Sequence, residues 1–167
     1  LPTPSLALRQ SRAVAREMAD CAVRELNNAL TALDHNTPEL AQSIHDDEEL
    51  CDHYEDILGT YLVKLSTQKM GRDESEEATE LLKTIGDFER ISDHAVNILS
   101  SAEEMEQKGL TFSGSALNEL AILTSAIREI LSLSLKSFSS QDVALAQQVE
   151  PLEPVLATLN AQTRTPP

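Results

Sequence analysis

The residues with most chemical reach lie in two acidic stretches. In "FERISDHA", residues 88–95, Glu89 and Asp93 stand four apart, so a helix stacks their carboxylates on one face. That face borders an apolar arc beside Leu82 and Val96 instead of opposing it. Two like charges at such a border repel and lose hydration, so one stays protonated unless a cation joins them. Hard cations are satisfied by this arrangement of oxygens. The competing reading is a boundary pair neutralised by Arg90 or by basic residues of a neighbouring helix. In "HDDEELCDHYED", residues 45–56, Asp47 and Cys51 repeat the spacing where the apolar period calls for non-polar residues. In an antiparallel helix pair, Asp47 and Cys51 could face Glu89 and Asp93, and a metal bridging the helices would take Cys51 as a thiolate ligand. Alternatively Cys51 is a small apolar filler.

Other chemistries lack their residues. A ferritin-like di-iron bundle needs two Glu-x-x-His motifs, and none of His35, His45, His53 and His94 has Glu three positions before it. His94 could serve a phosphotransfer bundle, but nothing next to it supports that role. There is no Gly-rich phosphate loop, G-x-S-x-G elbow or H-E-x-x-H motif. The expectation is a protein that is not an enzyme.

The elements that must position these residues are helices. Aromatics make up 3% of the 167 residues and Trp is absent, so the core is built from Leu, Ile, Ala and Val. A chain of this length buries roughly 70% of its unfolded surface and needs neither disulfide nor metal to hold a core. Helices are expected at about 5–34, 38–69, 74–107 and 114–139. Thr3-Pro4 and Thr37-Pro38 mark two starts, Asp73 with Glu76 and then Ser113 mark the others, and Asn36, Gly71 and Gly109 mark the stops. Leu40, Ile44, Asp47, Cys51, Tyr54, Leu58, Tyr61 and Leu65 form a 3.5-residue seam in the second helix. Leu81, Ile85, Phe88, Ser92, Ala95, Leu99 and Ala102 do so in the third, and Leu117, Leu120, Thr124, Ile127, Leu131 and Phe138 in the fourth. Short loops between long helices imply an all-α, up-and-down antiparallel bundle over residues 1–150. Pro151 and Pro154 break a further helix that begins at about Asp142, leaving a broken helix and frayed tail at 151–167.

Charge narrows the partners. A net charge of −15 repels nucleic acid and anionic headgroups and favours divalent cations or a basic protein. No apolar run reaches the roughly 20 residues of a membrane span, and no signal peptide is visible. Cys21 and Cys51 fit no C-x-x-C pattern and read as free thiols of a reducing compartment, with one bridge left open.

"DFERISDHAVNI", residues 87–98, resembles the "DLERIGDHAxNI" motif of the PhoU-like family, with Phe88 and Ser92 as departures. "TPSLAL", "YEDILGTYLVKLS" and "LTFSGSALNELAIL" are similar to segments of the cytoplasmic domain of Na⁺/phosphate cotransporter family proteins. The resemblance spans roughly residues 3–150 and implies three-helix repeats, here one full and one partial. It implies iron or zinc clusters held by Glu/Asp-x-x-x-Asp motifs, for which Asp47, Cys51, Glu89 and Asp93 are the expected ligands. Cys51 and Ala157 stand where the family carries Asp, and no second "ERIGDH" helix follows. The implied function is regulation of phosphate uptake, from the cytoplasmic side of the membrane and through the transmembrane portion of the same transporter. The alternative is a metal-free helical interaction or dimerisation module. On that alternative, Asp47→Ala would raise the melting temperature of metal-free protein.

Overall fold

The computed structural model describes residues 2–140, and the expected broken helix and tail at 151–167 lie outside them. Four helices follow one another: α1 (Pro4–Asp34), α2 (Pro38–Ser66), α3 (Arg72–Gln107) and α4 (Gly114–Ser140). They form the expected all-α antiparallel bundle. Capping accounts for the starts of α2 and α4 and the ends of α2 and α3, whereas Thr3 ahead of α1 makes no side-chain cap and α3 begins after Gly71 without the expected Asp73 box. The Thr37 hydroxyl accepts the Leu40 N–H at 3.1 Å, with Pro38 in the first turn. Ser113 likewise accepts the Ala116 N–H at 3.2 Å ahead of α4. Gly109, at φ 63°, ends α3 in the left-handed conformation, and the Leu110 N–H closes on the Met105 carbonyl at 2.9 Å. Gly71 does not stop α2. That helix ends at Ser66, where the hydroxyls of Ser66 and Thr67 bond back to the carbonyls of Val63 and Lys64, and Gly71 instead precedes α3.

The core explains the order of packing. α1 lies against all three other helices, whereas the backbone of α4 runs close to α1 and reaches α3 only through side chains. Its inward positions accordingly include Ala7, Ala15, Ala19, Ala22, Ala29 and Ala32, whose small side chains let several helices approach at once. Larger groups fill the space between: Met18 and Leu26 from α1, Leu62 and Leu65 from α2, Ile98 and Leu99 from α3, Ile127 and Leu131 from α4. The α3 seam is buried throughout as the period predicts. In α4 the seam starts late, because Leu117 is exposed and burial becomes complete only at Ile127. Phe138, near the end of α4, meets Phe88 of α3 edge-to-face at 5.2 Å, and the Arg12 guanidinium covers its ring at 5.7 Å.

Truncating Ile98, which has no solvent exposure, to Ala should lower the unfolding free energy by about 2–5 kcal/mol. Ile122→Ala, at a side chain 72% exposed, should change it by less than about 0.5 kcal/mol in the same urea titration.

Candidate metal centre

The α2 seam has two flanks, and they meet different neighbours. On one flank Asp47 and Tyr54 turn to α1: Arg24 donates to both Asp47 oxygens, at 2.8 and 3.0 Å, and the Tyr54 hydroxyl donates to Glu17 at 3.2 Å. On the other flank Asp52 and Glu55 turn to α3 and meet Glu89. One carboxylate oxygen from each of these three residues lies within 4.8 Å of the other two, the one group of three such ligands among the described residues.

The electrostatics of this group are those of crowded like charges. Glu89 binds its proton more tightly than usual, first because burial weakens its hydration and then because Asp93, Glu55 and Asp52 lie close. Glu55 shifts the same way, through burial and then Asp52, Asp93 and Asp56. Arg90, the sequence's candidate for neutralising Glu89, pairs instead with Asp87 one turn back. The donor chemistry therefore fits a cation: three convergent carboxylates with Asp93 beside them supply oxygen ligands from two helices.

The expected ligands Asp47, Cys51, Glu89 and Asp93 are not brought together. Glu89 joins the carboxylate group, and Asp93 sits exposed beside it. Asp47 is buried, but its need for a counter-charge is met by the bidentate Arg24 fork. Cys51 lies in the interior, where Cys21 and Glu25 of α1 and Ser92 of α3 surround it. Asp52 and Glu55, missed in the sequence, carry a readable trace. Glu48, Asp52 and Glu55 recur at steps of four and three, an acidic stripe one residue beyond the seam.

The interior layer has its own electrostatics. Glu25 has no solvent exposure, and neither of its oxygens has a hydrogen-bond partner. Burial raises its pKa from 4.5 to about 8; the adjacent Ser92 hydroxyl opposes the shift, while Cys21, Glu48 and Asp47 add to it.

Fold and site together define an antiparallel helical bundle with a carboxylate group set between two of its helices. Its family is that of the PhoU domain, whose family model matches residues 15–102, more than half of the chain, and the chain belongs to it. The matched span takes in most of α1, all of α2 and α3 as far as Ala102, and so contains every residue of both polar groups. At the level of the family, this assigns a regulatory role in phosphate transport. Comparison with curated proteins and with solved structures gives no match. Among the described residues, no helix is long and apolar enough to cross a membrane.

Two stability measurements test these assignments. Asp47→Ala should lower the melting temperature, and Arg24→Ala should destabilise by more, about 1–3 kcal/mol, since it strands a buried carboxylate. A rise in melting temperature on Asp47→Ala would overturn the pairing. For Glu25 the folded pKa exceeds the unfolded one, so its stabilising contribution is full below about pH 4.5 and is lost as pH rises towards 8. Glu25→Gln should therefore gain on the wild type across that window, by a few kcal/mol. Parallel stability curves for the two proteins from pH 5 to 8.5 would contradict it.

Proposed function

We propose that this chain is the cytoplasmic regulatory domain of a Na⁺/phosphate cotransporter, and that it works through a metal ion held by Asp52, Glu55 and Glu89. The observation that carries the metal reading is the convergence of those three carboxylates inside the span matched to the PhoU domain. Iron or zinc is the expected ion, and an all-oxygen set favours the harder iron over a thiolate-seeking metal. Bound there, the ion would tie α2 to α3 and remove the repulsion among Glu89, Glu55 and Asp93. Loading would then change the stiffness of the face that the transmembrane portion of the transporter would contact.

A second reading, a metal-free docking or dimerisation module, draws on Leu50, Ile57 and Val63 of α2 and on Leu117 and Ile122 of α4, all exposed. One experiment separates the two. Untagged protein purified without chelator is assayed by elemental mass spectrometry beside an Asp52→Asn/Glu89→Gln variant. About one equivalent of iron or zinc in the wild type, absent from the variant, is the expected result. Metal in neither protein would leave the docking module standing, and equal metal in both would place the ion elsewhere.

A further inference from the structure

Cys21 of α1 and Cys51 of α2, thirty residues apart in sequence, are both buried where these two helices pack, and Cys21 reaches the backbone of α2 one turn before Cys51. The Cys21 thiol donates to the Asp47 carbonyl at 3.3 Å. In an α-helix that carbonyl also receives the N–H of the residue four positions on, which here is Cys51. The bond therefore sets the Cys21 sulfur against the turn from which the Cys51 side chain projects. Both cysteines are free, and both are at most 1% exposed. A metal is not the natural occupant of this layer, because the nearby Glu25 does not converge with the two sulfurs as Asp52, Glu55 and Glu89 converge with one another.

We propose that Cys21 and Cys51 form a reversible disulfide, a redox-sensitive bolt between α1 and α2. Hydrogen peroxide is the fitting oxidant, since it carries the two oxidising equivalents that one bridge needs and leaves only water. The Cys21 sulfur, beside the Arg24 guanidinium, attacks one peroxide oxygen as its own proton leaves. The O–O bond breaks, and the departing hydroxide takes a proton to become water. The sulfenic acid left on Cys21 is then attacked by the Cys51 sulfur. The S–O bond breaks, the S–S bond forms, and the hydroxide released with the Cys51 proton is the second water. Two thiols lose two hydrogens and two electrons in total, and peroxide is reduced to two waters. A dithiol reductant reverses the change. The closed form gives up the Cys21–Asp47 hydrogen bond and gains a covalent tie spanning the α1–α2 turn. The immediate neighbour of Cys51 in sequence is Asp52, so the bolt acts on the backbone that carries the carboxylate group.

The test is peroxide titration of the reduced chain, residues 1–167, read by intact mass spectrometry and by non-reducing peptide mapping after alkylation. The expected product is a monomer lacking two hydrogens, with the Cys21 and Cys51 peptides joined. Its melting temperature should rise by roughly 5 °C or more and fall back on reduction. In Cys51→Ala the reaction should stop at a sulfenic acid on Cys21 that dimedone captures. Retention of both thiols, oxidation of either cysteine to sulfinic or sulfonic acid without a bridge, or bridging only between chains would each overturn the proposal. The wild-type protein decides among these results even if the variant does not fold.

Discussion

The rest of the structure hangs on the position of α1, which packs against all three other helices. Its outer face keeps exposed residues such as Arg9, Glu17 and Asp20, but polarity turned towards its neighbours must be resolved within the bundle. Near its middle, Cys21 and Glu25 are buried and the half-exposed Arg24 reaches inward. Arg24 resolves its charge on Asp47, Cys21 donates to a carbonyl of α2, and Glu25 is left with burial and a proton. The polar residues of α2 and α3 are placed around those solutions. The helical period sets Asp47 towards α1, where Arg24 meets it, and sets Asp52 and Glu55 towards Glu89.

That division also separates two kinds of polarity that look alike in a list of residues. The interior layer of Cys21, Glu25, Cys51 and Ser92 is buried, so a charge there is costly to hold. The carboxylate group of Asp52, Glu55 and Glu89 is half in water, so it can answer to an ion from solution. Both lie within the residues matched to the PhoU domain. Two distinct polar groups, one buried and one partly exposed, thus lie side by side along α2, at the adjacent residues Cys51 and Asp52.

The fold was legible because period, caps and loop lengths agree with one another. Thr37-Pro38, Ser113 and Gly109 each act as their residue types require, and the α3 seam is buried residue for residue. The site was legible only in part, because a seam identifies buried positions without saying which neighbour each flank meets. Glu89 was found since its motif lies on the edge of the α3 arc, whereas Asp47 was chosen over Asp52 since it interrupts the apolar period. The interruption was real, but its cause was Arg24, a residue of another helix that the local pattern of α2 does not contain. Glu25 was missed for a related reason: an acid among alanines in α1 reads as surface until three helices are seen to close over it.

The way α4 is attached has a consequence for how the chain assembles. α1, α2 and α3 meet through connections of three and five residues, so their contacts form early and at small entropic cost. α4 is held by contacts such as those of Arg128 with Asn27 and Thr31, which join residues about a hundred positions apart. It is therefore expected to dock last and leave first. Its departure would strip cover from α1, so the bundle would open in steps, with a three-helix unit outlasting its fourth member.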